Sequence, residues 1–300
     1  MARDRTTLLA AAIVVATGVL WGFYWWPVRR LAELGLPGAW GTLAVVTCAA
    51  LLSAPVALGR GGGPAGADRR ALAAIALGGA AFVLYSVAFL YGRVAIVILL
   101  FFLTPVWSTL IGRYVMGWPT TRLRLAAIAV GIVGLALMLG AEGTVPLPRG
   151  AAEWLALLSG ILWSIATTGI RSTAAPEPVT AAFVFALGGC VGAVCLAAFL
   201  GPQPVGLDGV QLAPALGWAL ATGGIWWGLS IVSLMWAAAR LEPARVGILL
   251  MAEVLVGTVS AAALAGEHLG GLEFAGGALV LAAGVLELWP SRLRVARRSG

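Results

Sequence analysis

Residues 18–29 read GVLWGFYWWPVR, and residues 160–171 read GILWSIATTGIR. Four residues of the first stretch recur in the second at a constant offset of 142 positions. The repeated residues are Gly18, Leu20, Trp21 and Arg29, which return as Gly160, Leu162, Trp163 and Arg171. A constant offset across the whole stretch indicates that one half of the chain duplicates the other.

The composition is that of a protein embedded in lipid. Of the 300 residues, 61% are hydrophobic and 10% are charged, whereas about 25% of residues in a soluble domain are charged. Apolar runs of about 20 residues, the length that crosses a bilayer as a helix, recur along the chain. The predicted helices cover about residues 8–29, 39–58, 71–91, 94–115, 123–141, 152–172, 179–200, 212–238, 244–265 and 271–289.

These ten helices fall evenly into two repeats of a single integral membrane domain, at about residues 1–145 and 146–300. Because each repeat has an odd number of helices, the second enters the membrane in the opposite orientation to the first. We therefore predict an all-α membrane protein with ten transmembrane helices arranged as two inverted five-helix repeats. This arrangement is typical of transporters with a substrate site near the membrane midplane.

Arginine placement predicts the topology. The net charge of +7 comes from arginine, since the chain has no lysine, and in a soluble protein it would suggest nucleic-acid binding. With a cytoplasmic N-terminus, fifteen arginines fall on the cytoplasmic side and only Arg29, Arg30, Arg93 and Arg149 on the other. This distribution follows the positive-inside rule. We expect both termini in the cytoplasm, no nucleic-acid partner, and the arginines of residues 292–298 against anionic lipid headgroups.

Metal and cofactor sites are not expected. Cys48, Cys190 and Cys195 lie in apolar runs without a CxxC pair, and His268 is the only histidine. Zinc and similar ions need several such ligands together. We interpret His268 as a solvated loop residue on the outer side.

Aromatic residues mark the candidate substrate site. Trp21 and Trp163 fall in the middle of the first and sixth helices, away from the interfaces where aromatic belts form. Two interpretations are open, a water-lined cavity with an indole partner or simple packing and lipid contact. The predicted substrate-binding residues are Trp21, Tyr24, Tyr85, Phe89, Thr104, Trp163, Trp227, Ser230, Met251 and Glu253.

Two prolines and one acid stand out within the predicted helices. Pro27 predicts a bend before Arg29, and Pro105 frees a backbone carbonyl at mid-membrane, either as part of a gate or ligand contact or as a structural kink. Glu253 is close to the bilayer centre, where a charge costs a few kcal/mol. It either binds a substrate ammonium group or a proton, or stays neutral and hydrogen-bonded to a helix backbone.

The order and spacing of these elements resemble a known family. GVLWG on the first helix, with PVWSTLIGRYVMG and EVLVGTVSAAALAGE on the fourth and ninth, are similar to the EamA branch of the drug/metabolite transporter superfamily, and especially to its YddG-type aromatic amino acid exporters. The Pro-Val element of that family is present as Pro105 and Val106, but its counterpart on the ninth helix reads Glu253 and Val254. The Gly-Glu element that closes the ninth helix is kept as Gly266 and Glu267, whereas the fourth helix has Gly117 and Trp118.

The resemblance implies export of amino acids from a central cavity lined by helices one, three, four, six, eight and nine. Aromatic walls favour aromatic amino acids and related small metabolites, and they would also hold a flat organic cation, so a multidrug exporter is the alternative. A lipid-modifying membrane enzyme is a distant third, because Glu253 has no second acid or histidine beside it. We thus expect a non-enzymatic exporter of the bacterial inner membrane, a monomer or weak dimer without an obligate protein partner. There is no GxxxxGK[ST] motif for ATP, so a gradient would drive it.

Overall fold

The computed structural model describes residues 2–59, 67–117, 121–141, 147–174, 176–200, 210–238, 240–241 and 243–288. The regular structure of these residues is helical, without a β-strand. The helices are α1 (Ala2–Gly22), α2 (Trp25–Glu33), α3 (Ala39–Gly59), α4 (Arg69–Tyr91), α5 (Val94–Phe101), α6 (Thr104–Tyr114), α7 (Arg122–Leu139), α8 (Ala151–Arg171), α9 (Pro178–Leu200), α10 (Leu212–Thr222), a π-helical segment (Gly223–Ser230), α11 (Ile231–Ala238), α12 (Pro243–Leu250), α13 (Ala252–Leu264) and α14 (Gly271–Leu288).

These helices form nine stretches within the described residues that are long and apolar enough to cross a membrane. A tenth apolar helix, Gly271–Leu286, is shorter. We number the ten stretches as spans 1 to 10 in chain order. Span 1 joins α1 and α2, span 4 joins α5 and α6, span 8 joins α10, the π-helical segment and α11, and span 9 joins α12 and α13. The prediction of an all-α, multi-pass membrane protein is confirmed.

Successive spans end alternately at one end of the bundle and at the other. At one of them, which we call the Glu267 end, the Arg29 side chain reaches the carbonyl of Gly92 and the carboxylate of Glu267. At the opposite end, the Leu241 end, Ala10, Val14 and Ala237 pack with Leu241. Arg60, Trp118, Glu242 and the arginines of residues 292–298 lie outside the described residues.

Span 3 is the most enclosed part of the bundle. It packs along spans 6 and 7, while span 2 packs along span 7, span 1 along span 9 and span 5 along span 10. Glycines permit some of these contacts. Gly188 and Gly192 of span 7 lie against the backbone of Ala76 and Ala80 in span 3, as expected for small residues spaced four apart at a helix interface.

Two other glycine pairs carry the same sequence pattern with different outcomes. Gly18 and Gly22 lie close against α13, as this pattern favours. Among the described residues, Gly224 and Gly228 make no such contact with another helix. Gly224 faces only the end of the Leu52 side chain, and the backbone contact with span 2 is made by Gly223 instead.

Three spans are interrupted inside the bundle. Span 1 breaks at Phe23 and Tyr24, span 4 at Phe102 and Leu103, and span 9 at Met251. The predicted bend at Pro27 is therefore displaced toward the N-terminus. The carbonyl of Phe23, which cannot bond to the nitrogen of Pro27, accepts from the Trp26 amide at 3.1 Å, so the turn comes before the proline.

Candidate functional site

Ten aromatic side chains meet in the middle of the bundle. Phe82 is the centre of the group, with ring centroids 4.9 Å from Trp21, 4.8 Å from Trp163 and 6.4 Å from Trp227. We call the group the aromatic cluster; its members are Trp21, Tyr24, Phe82, Tyr85, Phe89, Phe101, Trp163, Phe185, Trp226 and Trp227. Most pairs meet edge to face, the arrangement that the quadrupoles of aromatic rings favour.

Six of the predicted site residues belong to this cluster. They are Trp21, Tyr24, Tyr85, Phe89, Trp163 and Trp227, and Ser230 and Glu253 are hydrogen-bonded to it. Trp21 is 3% exposed, which excludes the interpretation that it faces lipid. Trp21 and Trp163 lie on either side of Phe82.

Sequence reasoning missed Phe82, Phe101 and Phe185. Phenylalanine in an apolar run looks the same whether it faces lipid or the interior. One signal was present, because Phe82 precedes Tyr85 by three residues and so shares its helix face.

The aromatic stretch of span 1 divides between two environments. Tyr24 contacts Trp21 with ring centroids 4.8 Å apart and has no exposed surface. Trp25 instead donates to the Ser260 hydroxyl at 2.9 Å. Phe23 and Trp26 are exposed, Trp26 by 51%. Only part of this aromatic stretch therefore faces the interior.

Polar tips of the cluster are hydrogen-bonded to one another or to neighbouring serines. The Trp21 indole donates to the Ser230 hydroxyl at 2.9 Å, and the Trp227 indole donates to the Tyr24 hydroxyl at 2.9 Å. The Tyr24 hydroxyl shares a further hydrogen bond with Ser86 at 3.0 Å. These bonds satisfy groups that would be costly to leave unpaired at this depth.

The π-helical segment aims two neighbouring tryptophans at the same span. Trp226 donates to the Leu20 carbonyl at 2.8 Å, and Trp227 donates to Tyr24, so both indoles bond to span 1. A π-helix bonds residue i to i+5, is rare overall, and frequently occurs at functional sites. The sequence analysis predicted a regular helix here.

Glu253 is the acid of the site. Its side chain belongs to the first turn of α13 and the residue is 6% exposed. The Tyr85 hydroxyl donates to its Oε1 atom at 2.8 Å, which joins span 3 to the break in span 9. Gly18 makes room for this break, since its α-carbon approaches the backbone of Leu250 and Glu253.

Thr104 and Met251 lie at the helix breaks and outside the aromatic cluster. The Thr104 hydroxyl donates to the carbonyl of Phe101, which is the carbonyl that Pro105 leaves without a backbone donor. The break in span 4 is thus internally satisfied, as in the kink interpretation. The Met251 methyl group packs against Gly284 of span 10. The Met251 side chain points away from the aromatic cluster because residues two positions apart along a helix, such as Met251 and Glu253, face different directions.

The rings fill the space that the sequence analysis assigned to an open chamber. Tyr24, Tyr85, Phe89 and Trp227 have no exposed surface, and their neighbours touch ring to ring. Converging aromatic faces gain contact energy by closing on each other. A cavity of about 200 Å³ lies instead at the Glu267 end. It is lined by Gly92, Arg93, Ile96, Val97, Met138, Leu139, Arg149, Glu153 and Glu273.

No family model and no curated protein matches this sequence. The crystal structure of another protein is similar over 96% of this chain and 98% of its own, with a TM-score of 0.58 and 18% sequence identity. At that identity the similarity shows a shared fold.

Proposed function

We propose that the protein is a transporter that exports amino acids, aromatic ones in particular, and that it works by alternating access between two inverted five-helix repeats. The observation that carries the proposal is the aromatic cluster in contact with a single acid, Glu253, at a helix break inside the bundle. A buried acid at membrane depth is costly, and where it occurs it marks substrate and ion pathways.

The pairing of the spans supports the inverted repeat. In an inverted repeat, each of spans 1 to 5 corresponds to the span five places later in the chain. The contact between spans 3 and 6 then corresponds to the contact between spans 8 and 1, and both are present. The contact of span 1 with span 9 becomes that of span 6 with span 4, and that of span 3 with span 7 becomes that of span 8 with span 2. The contacts of span 2 with span 7 and of span 5 with span 10 map onto themselves.

The breaks in spans 4 and 9 support transport as the activity. Thr104 begins α6 and Ala252 begins α13, at equivalent places in the two halves. Half-helices that begin inside the membrane present a positive dipole end, and transporters use such ends to bind substrate groups of opposite charge. In this proposal the N-terminus of α6 meets the substrate carboxylate and Glu253 meets its ammonium group.

An organic-cation exporter is the second candidate. Arg29 and Arg93 pair with Glu267 and Glu273, whereas the Glu253 carboxyl group accepts a hydrogen bond from the neutral Tyr85 hydroxyl. An acid paired with a neutral donor favours a positively charged ligand, which could be an amino acid or a cation without a carboxylate.

Transport into liposomes tests the proposal. Purified protein should be reconstituted and tested for uptake of labelled phenylalanine, tryptophan, a small aliphatic amino acid and a cationic dye, with and without a proton gradient. We expect saturable uptake of the aromatic amino acids. Uptake of the dye alone would select the cation exporter, and uptake of none of the four would contradict both candidates.

Localisation and topology complete the proposal. We assign the protein to a bacterial inner membrane, with both termini cytoplasmic and the Glu267 end outside. The Glu267 end contains Arg29, Arg93 and Arg149 together with several acids. Most arginines of the sequence then belong to the other end, which the positive-inside rule assigns to the cytoplasm. Reporter fusions to the loops at residues 67–68 and 266–270 should report opposite sides of the membrane.

A further inference from the structure

Four charged side chains join the span ends at the Glu267 end. We call them the clasp; they are Arg29, Arg93, Glu267 and Glu273. Each arginine is paired with one glutamate. The glutamate side chains are 10% and 11% exposed and the arginine side chains 30% and 39%, so the carboxylates are the enclosed partners.

Arg29 connects span 1 to the ends of spans 3 and 9. Its Nε donates to the Phe89 carbonyl at 3.0 Å and its Nη2 donates to the Gly92 carbonyl at 2.9 Å. The same Nη2 lies 3.3 Å from Glu267 Oε1. The guanidinium group also lies over the Trp25 ring, 5.4 Å from its centroid.

Glu267 continues the connection into span 4. Its carboxylate accepts from the Val94 amide at 2.8 Å and from the Ala95 amide at 3.1 Å, the first residues of α5. A carboxylate at this position satisfies free N–H groups and complements the helix dipole. Gly266 allows the approach, because its φ of +64° turns the chain at the end of α13.

Arg93 and Glu273 close the other side of the clasp. Two donors of Arg93 meet the two oxygens of Glu273 at 2.7 and 2.9 Å, and one of them also reaches the His268 carbonyl at 2.8 Å. Such bidentate pairs are the strong form of ion pair. The clasp therefore joins spans 1, 3 and 4 of the first half to spans 9 and 10 of the second.

The sequence repeat provides no equivalent clasp at the Leu241 end. Arg171 stands where Arg29 stands, but Trp118 occupies the place of Glu267. Arg171 ends α8 and is exposed. The Arg29–Glu267 pairing is therefore not repeated in the sequence of the other half.

From this asymmetry we infer that the clasp is the gate at the Glu267 end and that the protein rests with this end closed. The inference rests on the proposed function, since it names the gate of that transporter. Opening at the Glu267 end separates the two halves, so it must break the Arg29–Glu267 and Arg93–Glu273 pairs. Substrate release at this end is then limited by the clasp.

Spin-label distances test the gate without any substrate. Labels would replace Trp26 in span 1 and Leu272 at the start of span 10, both 51% exposed, after the three native cysteines are changed to serine. We expect one dominant distance in the wild type. Glu267→Gln and Glu273→Gln should each raise the ratio of longer to shorter distances by about tenfold, the effect of losing a charge-assisted hydrogen bond.

Two further variants keep the test decisive. Glu33→Gln is the matched control, because Glu33 pairs with Arg30 at 2.6 Å in the same span but the pair is exposed and joins nothing else. It should leave the distances unchanged. The exchanged pair Arg93→Glu with Glu273→Arg should bring the distance distribution closer to that of the wild type than either single change does.

The inference is overturned if Glu267→Gln and Glu273→Gln leave the distance distribution unchanged in folded protein. It is also overturned if Glu33→Gln changes the distribution equally. A protein that shows the expected distances but transports none of the tested solutes would retain the gate and contradict the proposed substrate.

Discussion

Replacing Glu253 with glutamine should remove recognition of the substrate ammonium group. Glutamine keeps the volume of the side chain and an acceptor for the Tyr85 hydroxyl, which lies 2.8 Å from Oε1, but it removes the charge. The informative ligands share one ring and differ in charge: phenylalanine carries both charged groups, phenethylamine only the ammonium group and 3-phenylpropionate only the carboxylate.

The size of the effect follows from the enclosure of the carboxyl group. At 6% exposure it is shielded from bulk water, and two unit charges about 4 Å apart interact by about 4 kcal/mol at an effective dielectric constant of about 20. Truncating one partner of a buried charge pair costs about 2–5 kcal/mol. Even the lower figure corresponds to roughly a 30-fold weaker Kd.

Binding to protein in lipid nanodiscs, measured by calorimetry, separates the outcomes. We expect Glu253→Gln to weaken phenylalanine and phenethylamine by roughly 30-fold or more and to leave 3-phenylpropionate unchanged. Tyr85→Phe keeps the charge and loses one hydrogen bond, so its effect on the same two ligands should be smaller, about tenfold at most. Glu33→Gln serves as the charge control. Unchanged phenylalanine and phenethylamine affinities in Glu253→Gln would refute the assignment of Glu253 to the site.

Three further predictions concern the packing that holds the site. Ser230→Ala should lower the free energy of unfolding by about 1–3 kcal/mol, because it leaves the buried Trp21 indole unpaired. Trp21→Phe should then destabilise the Ser230→Ala variant less than it destabilises the wild type. Gly188→Ala should destabilise the protein, since a methyl group there meets the Ala76 backbone, whereas Gly217→Ala, with open space around it, should be neutral or stabilising in a melting experiment. Thr104→Val should free the Phe101 carbonyl and accelerate amide exchange across the break in span 4, and unchanged exchange would contradict the role given to its hydroxyl.

The membrane-spanning architecture could be predicted from the sequence because apolar runs of bilayer length are a strong signal. The break in span 4 was also accessible, since Pro105 cannot continue a helix. The break in span 9 was not. Glu253 occupies the position that Pro105 occupies in the first half, yet the helix is still interrupted at Met251. The two halves therefore share the break, but only span 4 has a proline that explains it.

The interior of the site was harder to predict than its frame. Hydropathy distinguishes residues that face water from apolar ones, but it does not distinguish residues that face lipid from residues inside a buried aromatic cluster. Phe82 and Phe185 were missed for this reason. The π-helical segment has no such pattern either. Three of its eight residues are glycines, which permit unusual backbone geometry but do not specify it.

The hydrogen-bonded N–H and O–H groups of the aromatic cluster determine which ligands can enter it. Trp21, Tyr24 and Trp227 already have hydrogen-bond partners, so a solute that separates their rings must replace both the ring contacts and those bonds. A purely apolar solute would leave the polar tips unpaired in a medium that cannot hydrate them. An aromatic solute with donors and acceptors of its own restores both, and an ammonium group adds attraction to Glu253. The polar tips therefore select against simple hydrocarbons, and Glu253 selects among the remaining aromatic ligands by their charge.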